Sequence, residues 1–209
     1  MLPKDWKYLR DHIAKHCKQG EFTLSSGRTS DFYINMRAPL GETSGPLSLF
    51  GTEINNFRQA LHANVLAGPA SASLPLMTAA LLACDFSQVD INGGSSLSVG
   101  KALDCRKLRM VYTRSRSKEH GLKQQIEGPK LQAGDRVILV DDVLTTGGSL
   151  LKCAAALPDN VEIVGVWVCV DREEGGRENL KQQLPGLQGV TATFKKSDLL
   201  EVLEPRTNR

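Results

Sequence analysis

Apolar positions along the chain change period several times, and each change marks an element. Trp6, Leu9, Ile13 and Cys17 recur by three and four, the spacing of one helix face, and Gly20 is expected to end that helix. Residues 21–24 and 32–35 read as two short strands, joined by turn chemistry at Ser25-Ser26-Gly27-Arg28. Ser44-Gly45-Pro46 opens a second helix, since a proline in the first turn forfeits no hydrogen bond. Leu47, Phe50, Ile54, Phe57 and Leu61 then keep the three-and-four repeat. Strands and helices alternate from there. Strands are expected at 65–67, 108–112, 136–140, 161–170 and 190–194. Helices are expected at 74–84, at 148–156, from 177, and from a cap at Ser197 to just before Pro205. Such alternation predicts an α/β fold, a central mostly parallel twisted sheet flanked by helices on both faces.

Two stretches fit no element. Residues 85–107, centred on Gly93-Gly94-Ser95-Ser96, read as an insertion. Residues 113–135 are polar and charged, and are interrupted by Gly121, Gly128 and Pro129. A connection of that length inside a compact fold is expected to be a mobile functional lid or a disordered segment. A length of 209 residues suits one domain, 1–209, with a small N-terminal hood over about 1–40.

Composition narrows the function classes. Hydrophobic residues make up 41% and charged residues 23%, which excludes a disordered chain. Lys+Arg is 26 against Asp+Glu 23, so no bulk positive charge is available to hold nucleic acid. From Gln59 to Cys84 there is no charged residue, but Asn64, Gly68, Pro69, Ser71, Ser73 and Pro75 interrupt the stretch, and no membrane span is expected. The five cysteines are odd in number and form no CxxC, which reads as reduced thiols in a cytoplasmic protein. No apolar signal core follows Met1. His12 and His16 stand at i, i+4, a spacing that can clasp a metal. No third ligand lies at a telling distance in sequence, so a solvated helix flank is expected there.

The most informative run is Val137-Ile138-Leu139-Val140-Asp141-Asp142-Val143-Leu144-Thr145-Thr146-Gly147-Gly148-Ser149. Its first four residues form a buried strand, and in an open parallel sheet ligands bind beyond the carboxyl ends of strands. Thr145, Thr146, Gly147, Gly148 and Ser149 offer successive amides and three hydroxyls at a helix start, a cradle for phosphate. Adjacent acids beside such a cradle suit a ligand that also carries hydroxyls or a bound cation. A ribose 5-phosphate fits, with its 2- and 3-hydroxyls on Asp141 and Asp142 directly or through Mg²⁺. The run is neither a GxxxxGK[ST] loop nor GxGxxG.

This run resembles the phosphoribosyl diphosphate (PRPP) signature of the type I phosphoribosyltransferases. Three more segments resemble the orotate branch of that family: Phe22 to Ser30 continuing into Phe32-Tyr33-Ile34-Asn35, Arg114 to Gly121 closing at Glu127-Gly128, and Asp171 to Arg177. The resemblance implies the type I phosphoribosyltransferase fold and transfer of a phosphoribosyl group from PRPP to orotate. The products implied are orotidine 5′-monophosphate and pyrophosphate, with Mg²⁺ held mainly by PRPP near Asp141 and Asp142 rather than by direct protein ligands. It implies Arg114, Lys118 and His120 on the diphosphate, with Arg116 added by side-chain alternation, and the loop reaching into a partner subunit of a homodimer. Arg172, Thr145, Tyr33 and Ile34 are implied at the orotate. In an extended loop the four loop cations also alternate onto one side. Ser25, Ala72 and Ser115 stand where orotate enzymes often carry lysine, and Arg116 offers a substitute for the last. Two further readings stay open at this point: transfer to another base such as a purine, or a PRPP- or nucleotide-binding regulator without turnover.

Overall fold

The structure, a computed structural model, describes residues 4–23, 29–86, 107–114 and 125–203. Most of the expected insertion and the loop residues Ser115, Arg116, Lys118 and His120 lie outside these, as does Ser25.

The chain opens with helix α1 (Lys4–Ala14), which buries Leu9, Ile13 and Ala14. It stops earlier than the spacing predicts. The His16 amide donates to the Ile13 carbonyl at 2.9 Å, and Cys17 already pairs with Ile34. Strands β1 (Cys17–Thr23) and β2 (Thr29–Ile34) form an antiparallel pair whose register slips between Gln19 and Phe22. Gly20, at φ 147°, therefore serves an irregularity in a strand and not a helix end. A short helix α2 (Arg37–Glu42) was not legible, because Pro39 and Gly41 sit inside it. Helix α3 (Ser44–Ala60) starts where the Ser-Gly-Pro run predicts.

The main sheet has the order β5-β4-β3-β6-β7-β8. Its strands are β3 (Val65–Pro69), β4 (Arg109–Thr113), β5 (Ile126–Glu127), β6 (Arg136–Leu144), β7 (Glu162–Asp171) and β8 (Gly189–Lys195). All are parallel except β5, which pairs antiparallel with β4 and lies inside the stretch expected to have no element. The connecting helices are α4 (Ser73–Phe86), α5 (Gly148–Ala156) and α6 (Gly176–Gln183), and α7 (Lys196–Leu203) follows β8. Alternation along the central strands divides the core. Leu66, Ile138, Val140 and Trp167 join the cluster that holds Phe50, Met77 and the hood residues Leu9, Ile13 and Phe32. Val65, Ala67, Val137, Leu139, Val166 and Val168 pack instead with Leu150, Cys153 and Leu180. Phe50 meets Trp167 edge-on at 5.5 Å, a geometry that adds to simple area burial. Cys17, Cys153 and Cys169 are buried free thiols.

At the amino ends of the strands Asp135 is a buried hub. It accepts from Asn64 Nδ2 at 3.0 Å, from the Gln132 amide at 2.6 Å and from the Arg109 guanidinium. Burial alone raises a carboxyl, but these donors outweigh it and hold Asp135 below its ordinary value. No helix among the described residues is long and apolar enough to cross a membrane.

The chain visits β3 first, places β4 on one side of it, then returns to the other side for β6. The reversal leaves a crevice at the carboxyl ends of β3 and β6, where open α/β sheets bind ligands. Gly68 keeps the two strands close there: a Cβ on it would lie 2.3 Å from the Val140 carbonyl oxygen and 2.5 Å from Ser73. Gly68→Ala is therefore expected to cost about 1–3 kcal/mol by overpacking, lowering Tm by about 2–4 °C per kcal/mol. A thermal melt within 1 °C of the parent would contradict this packing.

Candidate active site

Strand β6 runs to Leu144, so Asp141 and Asp142 belong to its last turns and not to the loop after it, as the sequence suggested. That extension carries Asp141 inside, where it is 4% exposed. Its oxygens accept from Ser149 Oγ at 2.9 Å and from the Asp142 amide at 3.0 Å, and Asp142 accepts from the Val143 amide at 2.7 Å. Neither acid meets a guanidinium or ammonium in an ion pair among the described residues. Burial, then the neighbouring Asp142 charge, pushes Asp141 up to about 8. Asp142 is also raised by burial, partly countered by the Val143 amide and by the positive charge of Arg37.

Arg37 is a cation that sequence reading missed. It opens α2, and its only sequence signal was its place two residues after the Tyr33-Ile34-Asn35 run.

The loop after β6 is shaped by Gly147, whose φ of 83° places it in the left-handed region as the N-cap of α5. No side chain caps that helix. Among the described residues the amides of Thr145, Thr146 and Gly147 donate to no carbonyl or side chain. Free amides aimed from a helix start, with its positive dipole end, suit an anion. Asn179 Nδ2 holds the Thr146 carbonyl at 2.7 Å from behind. Gly176 presses against the same loop, since a Cβ on it would be 2.3 Å from the Thr145 carbonyl oxygen.

At the next strand end, Asp171 fixes the turn into α6. It accepts from the Glu173 amide at 2.8 Å and from Arg177 Nε at 2.6 Å. Arg172 is buried. Its guanidinium donates to the Phe32 carbonyl at 2.8 Å and to Ser30 Oγ, and pairs with Glu174 at 2.9 Å. Its buried Nε has no partner among the described residues. Arg172 thus joins the β7 end to the hood and keeps one donor to spare. Tyr33 is 42% exposed on the opposite side of β2 from buried Phe32 and stacks near Phe22, while Ile34 lies partly against the core. Arg114, at the end of β4, pairs with Glu127 at 3.0 Å. The β3 end adds a turn in which Ser71, at φ 72°, takes a backbone conformation unfavourable for a residue with a Cβ. The other loop cations, Arg116, Lys118 and His120, lie outside the described residues.

The raised pKa of Asp141 has a thermodynamic sign. A carboxyl lifted above its ordinary 3.8 contributes its full stability below that value and loses it as pH rises through about 8. Asp141→Asn is expected to melt at least about 3 °C above the ligand-free parent at pH 8, the shift of ~1 kcal/mol in a chain this size. The gain should shrink to nothing near pH 4. Parallel melting curves across that range would show that the acid carries no burden in the folded state.

Comparison with known proteins agrees with this geometry. A family model for the phosphoribosyl transferase domain matches residues 53–187. An orotate phosphoribosyltransferase of Methanosphaera stadtmanae is 37% identical over 166 residues, 79% of this chain and 80% of its own length. One from Aquifex aeolicus is 31% identical and covers 93% of this chain and 94% of itself. Among solved structures, the orotate phosphoribosyltransferase from Aeropyrum pernix superposes with a TM-score of 0.65 at 29% identity, over 95% of this chain and 97% of its own. A crevice at the sheet's reversal point, an uncapped helix start beside paired acids and these relatives agree: the chain belongs to the phosphoribosyltransferases, in their orotate phosphoribosyltransferase branch.

Proposed function

We propose that the chain transfers the phosphoribosyl group of PRPP to orotate, forming orotidine 5′-monophosphate and pyrophosphate in pyrimidine biosynthesis. The observation that carries this reading is the free-amide loop 145–149 set beside the buried pair Asp141 and Asp142. The 5-phosphate takes the amides of Thr145, Thr146, Gly147 and Gly148 and the hydroxyl of Ser149. The ribose diol takes Asp141 and Asp142. Their raised pKa values mark carboxyls short of donors, which suits a ligand that brings hydroxyls or positive charge, and so a substrate carrying Mg²⁺. Mg²⁺ brought in with PRPP would supply charge neutralisation on the pyrophosphate, and Asp141 and Asp142 are the acids that would face it.

In the transfer, the C1–oxygen bond to pyrophosphate breaks, the bond from a ring nitrogen of orotate to C1 forms, and the proton of that nitrogen is released to solvent. Positive charge grows on the ribose and negative charge on the leaving group. Arg114, Arg116, Lys118 and His120 stabilise that negative charge, and His120 also supplies a proton. Arg172 orients orotate by its spare donor and its fork, with Thr145, Tyr33 and Ile34 alongside. The loop acts across a homodimer interface in the cytoplasm, and closure over the site excludes water from the reacting centre.

Orotate consumption, followed by absorbance with PRPP and Mg²⁺, tests the reaction. Turnover of a purine base instead would overturn the base assignment, and PRPP binding without pyrophosphate release from any base would make the chain a regulator. Arg172→Ala is expected to raise KM for orotate about 10- to 100-fold, the range for a hydrogen bond to a charged group, with PRPP affinity within about twofold. A larger loss for PRPP than for orotate contradicts the assignment. Arg116→Ala should weaken PRPP use by a similar factor, and unchanged KM and kcat would remove it from the diphosphate.

A further inference from the structure

We propose that His12, His16 and Glu42 form a binding site for a divalent transition metal of the zinc class, within the hood and separate from the substrate crevice. The two histidines were expected to be a solvated flank for want of a third ligand. The fold supplies it. His12 lies in the last turn of α1, and His16 follows in a turn closed by its own amide on the Ile13 carbonyl at 2.9 Å. Their rings stand 5.4 Å apart and nearly perpendicular. Glu42, the last residue of α2, arrives from the other side. Its Oε2 is 3.4 Å from His12 Nε2, and its Oε1 is 3.3 Å from His16 Nε2. One ligand atom from each residue lies within 4.8 Å of the other two.

The spacing matters. Charge-assisted hydrogen bonds between nitrogen and carboxylate close to about 2.7–2.9 Å, and these contacts stay wider. Ligand atoms on a tetrahedral zinc, with bonds of about 2.0–2.2 Å, sit about 3.3–3.5 Å from each other. The observed gaps, each from one imidazole to a different oxygen of Glu42, are of that size. His12 Nε2 is buried and, despite its nearness to Glu42, makes no hydrogen bond among the described residues. Its ring is held in place by Tyr8, stacked at 5.9 Å and 6°. The side chains of His12 and His16 are 12% and 22% exposed and that of Glu42 is 48% exposed, so the fourth position opens to water. Two imidazoles and one carboxylate select zinc-class ions over Mg²⁺, which prefers an all-oxygen shell. The ion would join the end of α1 to the end of α2, the helix whose first residue is Arg37.

The test uses tag-free protein in excess Mg²⁺, with Zn²⁺ followed by calorimetry and Co²⁺ by visible absorption. One ion per chain is expected, with a tetrahedral cobalt spectrum. His12→Ala and His16→Ala should each weaken binding by about 100-fold or more, beyond the effect typical of a supporting residue. His62→Ala, on an exposed residue outside the cluster, should leave it unchanged. Glu42→Gln, altering a half-exposed side chain, gives the third reading should either histidine variant melt early without metal. No binding by the parent protein, or binding that survives the His12→Ala/His16→Ala double change, would overturn the site.

Discussion

Two carboxylates carried into the interior at the end of the central strand set the terms for the rest of the crevice. Burying a charge is costly unless something opposite meets it, and among the described residues Asp141 receives only a hydroxyl and an amide. At the amino end of the same strand the chain does the reverse. Asp135 receives a guanidinium, a side-chain amide and a backbone amide, and is held ionised. One residue type therefore has two outcomes. The saturated acid fastens strands together, and the undersupplied pair waits for donors that a ligand brings. The free amides of the next loop extend this asymmetry, leaving negative and positive demands side by side at one strand end.

Much of this architecture was legible in the sequence. Residues 137–140 are an unbroken apolar run because β6 is buried on both faces, and the small residues after it are needed where Gly147 turns left-handed and α5 begins uncapped. The α3 repeat and the α5 bounds were readable because they rest on local spacing and punctuation. The misses have a common cause, which is that tertiary pairing overrode local signals. Cys17 fits the helical period of α1 but pairs with Ile34 in a strand. Helix α2 hides behind Pro39 and Gly41, so neither Arg37 nor Glu42 could be placed. Asp141 and Asp142 looked like loop acids because strand pairing with Val168 and its successors, and not their own propensity, extends β6.

The placement of the site residues was legible unevenly. Asp141, Asp142, Thr145 to Ser149 and Arg172 come to neighbouring strand ends because each closes or follows a parallel strand, a relation visible in the βαβ order. Tyr33 and Ile34 were read as a pair, yet adjacent strand residues point to opposite faces, and only one of them turns toward the core. The ties of Arg172 to Ser30 and Phe32 span about 140 positions in the chain, beyond any local pattern.

The back-to-back packing of the two loops has an engineering consequence. Gly176 touches the Thr145 carbonyl and Asn179 grips that of Thr146, so the turn behind Arg172 and the anion cradle share a wall. On the proposed assignment, substitutions in the 172–179 turn will disturb loop 145–149 as well. The β2 side offers more freedom, because there the partners of Arg172 come from a separate sheet.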